Sequence, residues 1–246
     1  MPIYKIANRT VFVETKSQLF KSRAKKYLLV DNISKDDCDI IISFEGEEYE
    51  NFLKEKSEFS QDILDYSWAS FNFYREILKY GGFFLHSSVV AVDDNAYAFS
   101  ADSGTGKSTH TNLWLKHFGK DKAEIINDDK PAIMCENGKV IAYGTPFSGK
   151  HDISQNKGVV LKSLCFLERG EQNEIEQIPT SDAIKRLYSQ IVFSDKEKYM
   201  CKLLELIDIM LSNVKVYRLK CTISDEAVEI AYNKMNKSWQ TDIVCL

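Results

Sequence analysis

The chain has 246 residues, 44% hydrophobic and 28% charged, with a formal net charge of -4 at pH 7. That is an ordinary globular composition, long enough to bury a sizeable core. It excludes the basic field that nucleic-acid binders carry, and 4 prolines with 11 glycines leave no room for a long low-complexity tract.

Residues 1–56 read as short strands. Residues 10–15 alternate apolar and polar, and residues 27–30 and 39–44 are compact apolar runs. Nothing there clusters chemically useful side chains. Residues 57–80 predict a helix whose aromatic face, including Tyr66, Trp68, Phe73 and Tyr74, belongs in a core. Gly81 and Gly82 stop it. Residues 83–92 predict one strand with His86 in its middle, then a tight turn at Asp93-Asp94-Asn95 and a second strand over residues 96–100. By composition alone, a strand histidine is more often a half-buried structural residue than a ligand.

The second strand runs into Ser100-Ala101-Asp102-Ser103-Gly104-Thr105-Gly106-Lys107-Ser108-Thr109, and a helix follows to Phe118. A loop between strand and helix ending in Gly-Lys-Ser is how polyphosphates are held. Backbone N–H groups close around phosphate oxygens, and the helix N-terminus adds its positive dipole end. Ser103, Gly104, Thr105, Gly106, Lys107, Ser108 and Thr109 are therefore the candidate nucleotide-binding residues. Lys107 would reach the outer phosphates, and the Ser108 hydroxyl would ligate Mg2+. Ala101 stands where the strict pattern has its first glycine, which one methyl group satisfies while φ stays negative. The competing reading is a Gly/Ser turn before a surface helix.

Residues 123–127 predict a strand closing on Asp128-Asp129. A paired carboxylate at a strand end fits a Mg2+ ligand and a base, the two jobs phosphoryl transfer gives to acids. The alternative is a solvated turn before Lys130-Pro131. Residues 133–143 predict a hairpin around Glu136-Asn137-Gly138, and residues 144–151 a shaped loop. In that loop Lys150 and His151 either meet the phosphoryl group or acceptor, or are merely solvated. Residues 159–167 predict a buried strand flanked by Lys162 and Arg169; an arginine there would suit transition-state charge. Helices are expected over residues 180–192, which contain Gln190, over 199–211 and from 224 to about 237, with a strand at 215–219.

Cys38, Cys135, Cys165, Cys201, Cys221 and Cys245 lack metal-binding spacing, and several lie in apolar runs. Buried reduced thiols are the expectation, in keeping with a reducing cytoplasm. Residues 1–10 lack the apolar core of a signal peptide and no apolar run is long enough to span a bilayer, so a cytoplasmic protein without a membrane partner is expected.

His86 on a strand, the hairpin into Ala-Asp-Ser-Gly-Thr-Gly-Lys-Ser-Thr, and Asn127-Asp-Asp-Lys-Pro131 together resemble the HPr kinase/phosphorylase family. Its relatives share a fold with ATP-dependent phosphoenolpyruvate carboxykinase. The resemblance covers about residues 81–235 and looks closest to an uncharacterised HPr-kinase-related branch. It implies an α/β fold: a mixed-sheet kinase domain of the HPr kinase/carboxykinase type over residues 81–246. A small N-terminal α+β module with its connecting helix would occupy residues 1–80. It further implies ATP and Mg2+ as cofactors, with Ser108, Asp128 and Asp129 as metal ligands. The catalytic set would be Asp128, Asp129, His86, Lys107 and Lys150; which aspartate is the base stays open. The glycine-rich segment after the acidic pair in HPr kinases is replaced here by residues 144–151, which puts HPr as acceptor in question. The expected activity is an ATP-dependent kinase acting on a serine-like hydroxyl of a small molecule, peptide or protein. The alternatives are an HPr-type carrier-protein kinase/phosphorylase and a non-catalytic nucleotide sensor, with a homo-oligomer left open.

Overall fold

The computed structural model describes residues 2–30, 33–191 and 197–237. Val192, the expected end of one helix, and Cys245 lie outside them. The chain opens with a hairpin of β1 (Ile3–Ile6) and β2 (Arg9–Val13), turned through Ala7 and Asn8 at φ 48° and 60°. Two successive left-handed residues match the twist of the strands they join. Next come α1 (Gln18–Ala24), capped by the Ser17 hydroxyl, β3 (Ile40–Ile42), α2 (Glu47–Glu55) and α3 (Gln61–Glu76). β3 lies parallel to β2, completing a three-stranded sheet in the order β1-β2-β3.

Several expectations for this region change. Residues 27–30 form no strand: Tyr27 ends a 3-10 turn, Lys25–Tyr27, and Leu28 makes a single bridge to Tyr4. The apolar run is there because fully buried Tyr27 anchors the end of α1. The long helix begins at Gln61 rather than Ser57 and tightens into a 3-10 turn, Ile77–Tyr80, before Gly81 at φ 83°. α1 and α2 are the helical part of the expected α+β module, in stretches between and after the expected strands where no helix was singled out. In α2, Tyr49 and Phe52 are spaced to face α3, and their rings lie 5.3 and 5.1 Å from Trp68. The α3 face is core at Tyr66, Trp68, Phe73 and Tyr74, whereas Ile63 and Phe71 are 43% and 36% exposed. Asp65, buried on that face, accepts from Tyr49 Oη at 2.6 Å and Thr15 Oγ1 at 3.1 Å, so its charge is not stranded.

The rest of the chain builds a nine-stranded mixed sheet. Its strands are β4 (Gly82–Phe84), β5 (Ser87–Val92), β6 (Asn95–Ser100), β7 (Ala123–Asn127), β8 (Ala132–Glu136) and β9 (Lys139–Tyr143). β10 (Gly158–Arg169), β11 (Glu174–Gln177) and β12 (Lys215–Cys221) complete it, in the path β4-β8-β9-β10-β6-β5-β7, with β12 beside β10 and β11 beside β12. β10 forks the sheet: Gly158–Val160 pair antiparallel with β9, and Ser163–Arg169 pair parallel with β12. Four helices accompany it: α4 (Lys107–Phe118), α5 (Thr180–Tyr188), α6 (Glu197–Asn213) and α7 (Asp225–Met235). The fold is α/β with a mixed sheet.

Both expected hairpins are present. β5 and β6 turn through Asp93 and Asp94 at φ 47° and 62°, and β8 and β9 through Asn137 and Gly138 at φ 50° and 71°. The expected single strand over residues 83–92 is broken at Leu85 and His86. β4 pairs with β8, whereas β5 pairs with β6 and β7, so the chain changes partners at His86. His86 is therefore at a strand break, with its N–H bonded to Gln190 O at 2.8 Å. Gln190 in turn lies beyond α5, which ends at Tyr188.

One buried cluster joins the N-terminal elements to the main sheet. Phe147, in the loop after β9, lies 6.1 Å from Phe20, 5.8 Å from Tyr66 and 5.7 Å from Tyr74 between ring centroids. Two further clusters pack α5 and α6, and α4 and α7, against the sheet. Of the five described cysteines, all unpaired, only Cys165 is buried; Cys201 is exposed and the others are intermediate, which corrects the expectation of buried thiols. Cys38, Cys135 and Cys221 fall at strand ends and loops, where an apolar run in sequence does not guarantee depth. No helix among the described residues is long and apolar enough to cross a membrane.

Candidate active site

β6 delivers the glycine loop at one end of the sheet. Gly104 and Gly106 have φ 80° and 124°, and a Cβ on either would meet nothing within 4 Å. Their glycines are needed for backbone conformation, not for space. Ala101 keeps a negative φ and is 6% exposed, its methyl belonging to the buried cluster that includes Trp114. α4 starts at Lys107 with Gly106 as its cap and no side-chain cap bond, which leaves its first-turn N–H groups for an anion. Lys107 is 8% exposed, and its Nζ donates to Ala101 O at 2.8 Å. Burial pulls its pKa down, against the attraction of Asp129 and Asp102.

The acidic pair follows β7. Asn127 Oδ1 accepts the N–H groups of Asp129 and Lys130 at 2.9 and 2.7 Å, an Asx turn that fixes the backbone of the pair. The two carboxyls meet different surroundings. Asp128 is 4% exposed and accepts Gly149 N–H at 2.7 Å; burial pushes its pKa up, against that hydrogen bond. Asp129 is also raised by burial, but the His86 hydrogen bond and the Lys130 ammonium outweigh it and hold the carboxyl at about 2. His86 Nε2 lies 3.3 Å from Asp129 Oδ1, and Lys130 pairs with Oδ2. Groups whose environments drive their proton affinities apart are a mark of acid–base sites.

Loop 144–151 forms the opposite wall. A Cβ on Gly149 would sit 3.1 Å from Asp128 Oδ2, so the glycine permits this close approach of backbone to carboxylate. Lys150 and His151 are exposed at the mouth. The loop is gripped from the N-terminal region. Arg23 of α1 donates to Ser148 O at 2.7 Å, to Gly149 O at 3.0 Å and to Tyr66 Oη at 2.7 Å, and Lys26 Nζ donates to Ser154 O at 2.7 Å. Sequence gave no signal for Arg23, because it sits in an ordinary basic stretch and more than 100 residues separate it from the loop. Arg23→Ala strands these carbonyls, and we expect it to cost about 2 kcal/mol and lower Tm by about 4–8 °C. An unchanged melting curve would show that the grip is idle.

These elements enclose a cleft of about 650 Å³. It is lined by His86, Ser103, Gly104, Gly106, Lys107, Ser108, Thr109, Asp128, Asp129 and Lys150, together with Arg23, Ser148, Gly149 and His151. Every sequence-predicted site residue except Thr105 faces this one space. Thr105 lines a neighbouring cavity of about 330 Å³ on the far side of the loop, with Leu113, Leu167 and Ile223. Arg169, expected to face reacting charge, instead donates to Gly104 O at 2.7 Å, bracing the loop from that side. Lys162, its partner in the sequence reading, lies on β10 away from the cleft lining.

His110, one turn into α4, is 4% exposed. Burial lowers its pKa from 6.5 to about 4. Its Nε2 accepts from Trp114 Nε1 at 3.1 Å, so it is buried neutral. The unfolded chain binds this proton below about 6.5 and the folded chain only near 4, so stability falls as pH drops through that window. The loss from this residue is expected to be about 3 kcal/mol. Thermal melts from pH 7 to 4 should show a steeper decline in the wild type than in His110→Gln; equal slopes would contradict the assignment.

No protein-family model matches the chain, and no curated protein matches it. Among solved structures it is similar to the HPr(Ser) kinase/phosphatase from Coxiella burnetii, at 12% identity and a TM-score of 0.35. The likeness covers 63% of this chain and 99% of that one. A superposition this loose does not assign a shared fold.

Proposed function

We propose that the cleft binds Mg-ATP and transfers the γ-phosphoryl group to a serine-like hydroxyl of a small molecule, peptide or protein. The observation that carries this reading is the meeting, in one cleft, of a Gly-Lys-Ser helix start with Asp128, Asp129 and His86. The glycine loop and the uncapped N-terminus of α4 suit the phosphates, with Lys107 as their cation. The neighbouring cavity, with Leu113, Leu167 and Ile223 among its walls, suits the flat faces of a nucleobase.

The residues fit a magnesium ion. Asp129 is held as an anion beside Asp128, and both line the same cleft as the Ser108 hydroxyl. Oxygen donors of this kind suit a hard cation. Ser108, Asp128 and Asp129 would hold it, and it would neutralise charge on the phosphates. The chain's own groups do the rest. Lys107 meets the charge that grows on the transferring group. One carboxylate of the pair takes the proton of the attacking hydroxyl, and His86 Nε2 stands beside it. The loop carrying Lys150 and His151 covers the acceptor side.

The test is calorimetric titration with Mg-ATP, followed by acceptor-dependent ADP release with free serine, serine peptides and carrier proteins. Saturable binding with release in the presence of one acceptor class supports the reading; no binding overturns it.

A further inference from the structure

Gln190 belongs to no element of the mechanism above, yet it is 5% exposed and its side chain is fully engaged. Its Nε2 lies 3.1 Å from Asp102 Oδ1 and 3.0 Å from Ser189 Oγ, and its Oε1 lies 3.0 Å from His86 Nδ1. An amide can be turned either way, and its partners decide. Asp102's carboxylate has no hydrogen to give. The Ser189 hydroxyl gives its hydrogen to Arg186 O at 3.2 Å, so toward Gln190 it accepts. Both neighbours at that end call for the NH2 group. The carbonyl end therefore faces His86, and Nδ1 carries the hydrogen that bonds to it.

The backbone strengthens the same junction. His86 N–H donates to Gln190 O at 2.8 Å, and His86 O accepts from Ser100 Oγ at 2.7 Å. With Nδ1 tied, the ring cannot turn over, and Nε2 is the nitrogen left facing Asp129 at 3.3 Å. A line of side chains thus runs from Asp102, inside the glycine loop, through Gln190 and His86 to the acidic pair.

We propose that Gln190 is a positioning residue, its amide direction set by Asp102, which fixes His86 with Nε2 toward the reacting groups. It acts through His86 and touches neither nucleotide nor acceptor. Its catalytic consequence rests on the phosphotransfer reading; the orientation of the ring does not.

The experiment pairs nitrogen-15 NMR of the histidine-labelled full chain with steady-state kinetics. In the wild type a slowly exchanging ring N–H, assigned by its loss in His86→Asn, should belong to Nδ1. Gln190→Met keeps the size of the side chain and should abolish that signal. It should also lower kcat by about 10–100-fold, with KM for ATP within about twofold, as loss of an outer-shell orienting partner does. Asp102→Asn, which frees the amide to reverse, should weaken the same signal. Adding it to Gln190→Met should lower kcat no further, since both act through one line. A Gln190→Met protein that is folded and keeps the N–H signal overturns the proposal. So does unchanged kcat in that variant while the wild type transfers phosphate. If the signal responds as expected but no acceptor yields product with the wild type, the orientation stands and the kinase reading fails.

Discussion

Asp129→Asn should leave Mg-ATP binding within about fivefold of wild type and slow phosphotransfer by about a hundredfold or more. The expectation comes from how the residue is held. Its backbone is fixed by Asn127 Oδ1, which accepts the Asp129 and Lys130 N–H groups, and neither bond involves the Asp129 side chain. The amide keeps the size and one oxygen, so the local structure survives. What is lost is the charge. The carboxyl, held at about 2, is ionised near neutrality, whereas an amide cannot take a proton there and offers a cation only a neutral oxygen. On the proposed reading, binding of the phosphates would depend chiefly on the other wall, the glycine loop and the start of α4, whose first turn has no side-chain cap. Calorimetry for binding and single-turnover mixing for transfer separate the two effects. Wild-type turnover in the variant would remove the acidic pair from the chemistry.

Lys107→Ala should weaken Mg-ATP binding by about tenfold to a hundredfold and reduce, to about half or less, the rise in Tm that saturating nucleotide gives the wild type. Lys107 is an ammonium 8% exposed that donates a hydrogen bond to the Ala101 carbonyl, with Asp129 and Asp102 near enough to favour its charge. A buried cation with one neutral partner keeps hydrogens to offer. Each charge-assisted bond to a phosphate oxygen is worth about 1.5–3 kcal/mol, which sets the size of the loss. Because burial disfavours the charge in the unliganded protein, removing it should leave the fold intact, and circular dichroism checks this. Binding unchanged by the substitution would mean that the loop holds something other than a polyphosphate.

The parts of the site that were legible in sequence are those written in local chemistry. Gly104, Gly106, Lys107 and Ser108 declare a loop before a helix by their order alone. Asp93-Asp94 and Asn137-Gly138 declare two-residue turns, because few other residues take a left-handed backbone cheaply. Asp128 and Asp129 were visible as a pair at a strand end, but not the opposite environments that separate them, since Gly149, His86 and Lys130 come from three places in the chain. His86 read as mid-strand because residues 83–92 are continuously apolar enough for one strand. The break there comes from a change of pairing partner, which no local pattern encodes. Gln190 read as helical because its neighbours carry helix periodicity, yet the helix ends two residues earlier and its side chain turns to the glycine loop. Arg23 and the α1 helix that carries it escaped altogether. A seven-residue helix holds too few turns to show an apolar stripe, and its partner loop lies more than 100 residues away. Propensity and period speak for segments, whereas a cleft is assembled from segments that meet only in the folded chain.

The measurement closest to the central claim is a mass-spectrometric phosphotransfer screen with Mg-ATP, run on the wild type and Asp129→Asn in parallel. The acceptors are free serine and related hydroxyl metabolites, serine-bearing peptides and HPr-type carrier proteins. The account predicts an acceptor that gains one phosphoryl group with the wild type and stays unmodified with Asp129→Asn. Nucleotide binding with every acceptor left unmodified would contradict it and point to a nucleotide-sensing protein instead.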